Sequence, residues 1–249
     1  MIDYTTIIAV DNAHVEELKL SAPTWAKLKP DILQNPVLVM RDLSCDHAFI
    51  LDVLWGKCNF NSKITFIDWD WRPDLPQRER MLTAFVHASR HVKTPWYLKL
   101  DTDCLAVAPG PVYRDEWFEN DPVIVSSPWS YSKPADAIQR LDDWGDTLFR
   151  TPRLDIPVAP GANKVKHKRI ISWCMFGQTA WTRRALALAG GDRLPVPSQD
   201  TFLFYVAART GHLVNRVRMK HHGWAHASNR CRLAEASRLV MEDSYVNST

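Results

Sequence analysis

Along the first hundred residues the hydrophobic positions gather into four short β-rich runs, Thr5 to Val10, Pro36 to Arg41, Lys63 to Ile67 and Trp96 to Leu100. Each is followed at once by an aspartate: Asp11, Asp42, Asp68 and Asp101. The spacers between the first three runs are long enough for crossover helices or long loops. Between the last two, Gln77 to Val92 sets Leu82, Phe85, Val86 and Ser89 on one helical face. Strands alternating with helices imply a mostly parallel sheet. Ligands of such sheets bind outside the carboxyl ends of the strands, and the four aspartates would line that edge.

The second half begins past the breaker cluster Pro109-Gly110-Pro111. Val123 to Ser127 reads as a further strand, and Pro134 to Phe149 as a helix with Ile138, Leu141, Trp144 and Leu148 at helical spacing, weakened by Gly145. Thr151 to Arg169, with Pro152, Pro157, Pro160 and Gly161, reads as a long irregular loop closing in the basic cluster Lys164, Lys166, Lys168 and Arg169. Beyond it follow a strand at Ile170 to Phe176, a helix at Thr179 to Ala189 capped by Gly190-Gly191, and a helix at Thr201 to Arg209 with Ser198 or Asp200 as N-cap. A strand at His212 to Met219 and a tail helix at Arg232 to Met241 complete the expected order.

The fourth run carries the chemistry. Trp96 to Leu100 ends in Asp101-Thr102-Asp103, two carboxylates one residue apart. Crowding makes each harder to keep ionised, and a divalent cation shared with a bound diphosphate removes that penalty. A second D-x-D, Asp68-Trp69-Asp70, runs into the loop-like Trp71-Arg72-Pro73, so the later pair is preferred.

Composition narrows the classes. Of 249 residues, 46% are hydrophobic and 24% charged, ordinary for a globular chain of one large domain, and a net charge of +3 does not mark a general nucleic-acid binder. Five scattered cysteines without C-x-x-C argue against a disulfide scaffold and a structural zinc site. The N-terminus has no basic flank before its apolar run, and no run approaches the roughly 18 residues of a membrane span. The expectation is a cytoplasmic protein, with peripheral contact to the inner face of a membrane as an option. Several of the eleven tryptophans, among them Trp71, Trp129, Trp173 and Trp224, fall near expected loops, where they would stack on sugars or nucleobases unless they pack the core.

The order of these parts resembles the GT-A glycosyltransferases, especially the single-domain family-2-like enzymes, over roughly residues 5 to 226. The resemblance implies an α/β, Rossmann-like, mostly parallel central sheet flanked by helices, in one domain over residues 1–249. Residues 1–110 would form the nucleotide-sugar-binding half and residues 111–249 the acceptor-binding half. By the same resemblance Asp103 would bind Mn²⁺ or Mg²⁺, and Asp101 would contact the ribose, or the metal through water. A histidine near the end often completes the metal shell in this family. His221, His222 and His226 are available, with His221 and His222 the candidates. Asp200, in Gln199-Asp200-Thr201, would act as general base on the acceptor hydroxyl in an inverting transfer. Asp42 matches the position that reads the nucleobase, Asp11 the first-strand contact, and Arg80 an arginine facing the diphosphate. The implied partners are a nucleotide-sugar donor, a UDP-sugar first, and a carbohydrate, glycolipid or other hydroxyl acceptor, with no specific nucleic acid. The family's E-D pair stands here as Gln199-Asp200, with one carboxylate instead of two.

Two other readings compete. A sugar nucleotidyltransferase would share the sheet, metal and carboxylates but resembles chains with a Gly-rich loop after the first strand, where this one has Asp11-Asn12-Ala13. A non-catalytic nucleotide- or sugar-binding module would keep the fold without turnover. Motifs for P-loop, dinucleotide, zinc-peptidase and serine-hydrolase chemistry are missing.

Overall fold

The computed structural model describes residues 2–12, 14–43, 45–58, 63–69, 77–151, 153, 164–189, 199–227 and 230–246. The strands are β1 (Tyr4–Val10), β2 (Val37–Asp42), β3 (Ile64–Trp69), β4 (Trp96–Leu100), β5 (Cys104–Ala106), β6 (Ile124–Pro134), β7 (Lys164–Gln178), β8 (Val214–Arg216) and β9 (Trp224–His226). The helices are α1 (Val15–Leu28), α2 (His47–Leu51), α3 (Gln77–His91), α4 (Ala135–Leu148), α5 (Thr179–Ala187), α6 (Gln199–Arg209) and α7 (Arg230–Val246); α2 runs on into a π-helical segment, Asp52–Lys57.

Seven strands form one sheet in the order β3-β2-β1-β4-β7-β6-β8, and β5 pairs with β9 in a separate two-stranded sheet. The four predicted N-terminal strands lie side by side and parallel, while β7 runs antiparallel to both β4 and β6. The mostly parallel α/β sheet expected from the alternation is therefore present. Side chains of successive strand residues go to opposite layers: Tyr4, Ile8, Leu98 and Phe176 pack with α1 and α2, and Ile7, Leu38, Tyr97 and Met175 with α3, α5 and α6. Strands covered on both faces need apolar residues at every position, which is why they read as continuous runs.

Local chemistry sets the joints. The carbonyl of Asp11 accepts the backbone N–H groups of His14 and Val15 and opens α1, and the Asp46 carboxylate accepts Ala48 N–H to cap α2. Gly223 adopts φ +76°, the left-handed conformation that ends a 3-10 turn at Met219–His222 and launches β9.

Two expectations need correcting. The basic cluster is not in a loop: Lys164 starts β7, whose outer half pairs with β6 from Pro134↔Lys164 to Pro128↔Ile170. The prolines before it dominate the composition, yet Lys164-Val165-Lys166-His167-Lys168 has the alternation of a strand and finds its partner in residues 128–134. The strand expected at His212 to Met219 shrinks to Val214–Arg216, because the chain turns into the 3-10 segment at Met219. Trp173 and Trp224 pack the core, the other of the two roles open to them. Gly190-Gly191, Ser198, Asp70 and Trp71 lie outside the described residues, as do the side chains of Trp129 and Arg80. No described helix is long and apolar enough to cross a membrane.

Candidate active site

β4 is central, so the turn that follows it opens at the middle of the carboxyl edge. That turn is fastened at both ends. Asp101 N–H donates to the Trp173 carbonyl on β7 at 3.0 Å, and Cys104 N–H donates back to the Asp101 carbonyl at 3.0 Å. β5 then leaves the main sheet and is held from beneath by α1, where Trp25 Nε1 donates to the Cys104 carbonyl and Ala106 N–H donates to Thr24 Oγ1.

The pairing of β5 with β9 decides which histidine meets the D-x-D motif. Cys104 lies opposite His226, and Ala227 N–H donates to the Asp103 carbonyl at 3.1 Å. His226 Nε2 consequently sits 3.0 Å from Asp103 Oδ2, with its ring stacked on Trp173. The hydrogen bond to Asp103 raises the proton affinity of His226 more than burial lowers it; Asp101 raises it further and Lys99 opposes. The candidates His221 and His222 are seated elsewhere. His221 is exposed, and the His222 ring packs edge-on against Trp117 while its carbonyl accepts the Lys29 ammonium. Burial, followed by nearby Arg114, lowers the proton affinity of His222, and neither D-x-D carboxylate is among its electrostatic neighbours.

The other carboxylates around the motif are also engaged. Asp101 forms an ion pair with Lys99, two residues back on the same face of β4. Asp11 Oδ1 lies 2.5 Å from His14 Nδ1, a contact that raises the proton affinity of His14, with Glu17 and Asp103 adding to it. Thr102 Oγ1 donates to Glu17 Oε2 at 2.8 Å. Asp42 is buried at the end of β2; with Asp11 it adds to the effect of burial that pushes the Cys45 thiol up to about 11. Asp68, from the rejected D-x-D, is held by Arg41 at 2.6 Å. Thus Asp11, Asp101 and Asp103 converge on one edge, with Asp42 beside Asp11. Asp200 lies in the first turn of α6, 6% exposed, its Oδ1 accepting Thr201 N–H at 2.7 Å.

The donor set suits a divalent ion. Adjacent corners of an octahedron with bonds of about 2.1 Å are about 3.0 Å apart. Asp103 Oδ2 and His226 Nε2 have that separation. Oxygen and imidazole donors together suit Mn²⁺. Among the described residues no group of three or more His, Cys, Asp or Glu side chains is arranged to hold an ion. Two protein ligands leave the remaining positions for ligand oxygens and water, as for metals bound along with phosphates.

His14, Glu17, Lys99 and His226 had no settled place in the sequence reading. The available signal for His226 was Trp224-Ala225-His226, a three-residue alternation too short to stand out. His14 and Glu17 follow from the helix start at Asp11, three and six residues on.

No family model matches the sequence, nor does any curated protein. Solved structures do match in fold. Core-mannan synthase A (CmsA/Ktr4) of Aspergillus fumigatus, in its Mn/GDP form, is 12% identical with a TM-score of 0.58 over 84% of this chain and 72% of that one. The galactosyltransferase LgtC, in complex with donor and acceptor sugar analogs, is 14% identical with a TM-score of 0.56 over 96% and 94%. The 4-diphosphocytidyl-2C-methyl-D-erythritol synthase of Anaerococcus prevotii is 9% identical with a TM-score of 0.56 over 96% and 99%. At such identity the likeness speaks for architecture alone, and with a parallel sheet interrupted by antiparallel β7, this chain has the GT-A fold.

Proposed function

We propose that the protein is a metal-dependent glycosyltransferase that moves a sugar from a nucleoside-diphosphate sugar to an acceptor hydroxyl. The observation that carries this reading is the Asp103–His226 pair, 3.0 Å apart at the end of the central strand. Asp103 and His226 would hold Mn²⁺ or Mg²⁺, and an ion held there supplies Lewis-acid stabilisation of the leaving diphosphate. Asp101, oriented by Lys99, accepts a ribose or sugar hydroxyl. Asp11 and Asp42 line the nucleoside end of the edge, and a UDP-sugar is the first donor to try. Asp200 takes the acceptor proton in an inverting transfer, with the acceptor approaching over the start of α6.

A sugar nucleotidyltransferase is the second reading, favoured by the nearly full-length likeness to the diphosphocytidyl synthase. The two differ in what is consumed: a nucleotide sugar with an acceptor, or a nucleoside triphosphate with a sugar phosphate.

Thermal shift of wild type, Asp103→Asn, His226→Gln and His222→Gln with UDP, GDP, CDP or ADP, each with and without Mn²⁺, tests the donor site. A ligand at ~100 times its dissociation constant adds about 2.7 kcal/mol of stability. The expected result is a shift needing both nucleotide and metal, kept by His222→Gln and lost in the other two variants. No metal-dependent shift with any nucleotide would overturn the proposal. Turnover assays with nucleotide sugars, read for released nucleoside diphosphate, separate the transferase from the binding module. The anomeric configuration of the product decides whether Asp200 acts in an inverting reaction.

A further inference from the structure

Lys99 is an unusual residue for its position. It lies at the centre of the main sheet, in register with Ile7 of β1 and Met175 of β7, where an apolar side chain would serve the strand. Its side chain is 6% exposed, and its ammonium is paired with Asp101 Oδ1. A buried ammonium costs more than a buried methylene, so the pair adds little to folding that an apolar residue would not. Its consequence is electrostatic. Around the D-x-D turn, Asp11 is matched by His14, Glu17 accepts a hydroxyl, Asp103 meets His226, and Asp101 is neutralised by Lys99.

A divalent ion arriving alone therefore meets the Asp103 carboxylate with a fixed positive charge nearby. A diphosphate arriving with it brings negative charge that both cations attract. Resting on the donor site proposed above, we propose that Lys99 is a positioning residue that makes metal binding depend on the nucleotide diphosphate, by keeping Asp101 out of the metal shell and its own charge beside it. The coupling is reciprocal: whatever factor the nucleotide contributes to metal affinity, the metal contributes to nucleotide affinity.

The test is a Mn²⁺ titration of the full chain, with free Mn²⁺ read by electron paramagnetic resonance. It is run with and without UDP, or with whichever nucleotide gives the thermal shift. In wild type the nucleotide should tighten Mn²⁺ binding by about tenfold or more, within the usual range of coupling between sites. Lys99→Met, which keeps the stem and removes the charge, should bind Mn²⁺ alone about tenfold tighter than wild type and lose most of the coupling. Lys99→Arg should retain the wild-type pattern. Should Lys99→Met not fold, Lys99→Gln removes the charge with a polar side chain. Unchanged or weaker Mn²⁺ affinity in Lys99→Met, or coupling kept at the wild-type factor, would overturn the role of Lys99 while leaving the donor site standing. No Mn²⁺ binding to wild type under either condition would overturn both.

Discussion

Gly223→Ala tests whether the left-handed turn before β9 holds His226 in place. Two costs can be separated. At φ +76° an L side chain costs about 1–2 kcal/mol in backbone conformation. The new Cβ would also lie 2.7 Å from the Ala108 carbonyl oxygen and 2.9 Å from its Cβ. The carbonyl is backbone and cannot swing aside, so overpacking adds about 1–3 kcal/mol. The sum is about 2–5 kcal/mol, a large part of the 5–15 kcal/mol of a typical domain. Gly211→Ala is the control: φ is +70°, but the added Cβ meets nothing within 4 Å. It should cost only the conformational part, about 1–2 kcal/mol. Urea unfolding of the metal-free protein gives both values, and titration of His226 by NMR reports on the site. Gly223→Ala should move the His226 pKa back toward its ordinary value as Asp103 is lost, whereas Gly211→Ala should not. Equal losses for the two glycines, with His226 titrating as in wild type, would refute the reasoning.

Gly145→Ala should destabilise the protein by about 1–3 kcal/mol despite alanine's better helix propensity, because its Cβ would lie 2.3 Å from Tyr205 Oη. Tyr205→Phe in the same chain should recover part of that loss in chemical denaturation, although it forfeits the hydrogen bond to Asp142. His14 and His226 both have raised proton affinity in the folded state, through Asp11 and Asp103 respectively. Their contribution is therefore complete below the ordinary histidine value of about 6.5 and is lost as pH rises through the folded values. The melting temperature of the metal-free protein should fall over that window, and replacing both histidines by glutamine should flatten the profile.

What was legible in the sequence follows physical signal strength. β1, β2 and β4 announce themselves as apolar runs because both their faces are largely buried, the half-exposed edge strand β3 shows as a shorter run, and the aspartates that follow the runs mark the sheet edge. α3 and α4 show as periodic patterns and α6 through its N-cap signal, although the reason for Gly145 appears only when Tyr205 is seen against it. The outer half of β7 is masked by lysines, since nothing local says that residues 128–134 will pair with it. Asp101 and Asp103 could be placed at the edge from the run preceding them. His226 could not be chosen over His221 and His222, because the choice is made by the three-residue pairing of β5 with β9. Lys99 is visible as a charge in an apolar strand, but its pairing with Asp101 follows from the pleat, which returns residues two apart to one face.

The link between β5 and β9 also bears on how the molecule comes into being. Synthesis releases domains from the N-terminal end, at about 5–20 residues per second. The strands β1, β2, β3 and β4 can align as they emerge, and α1 is there to receive β5. The partner of Asp103, however, is made only after β6, β7 and β8, and Trp173, on which His226 rests, comes from β7. A nascent or truncated chain ending ahead of β9 therefore carries its acidic turn without the imidazole, and the Asp103–His226 pair forms only when β9 has closed back onto β5.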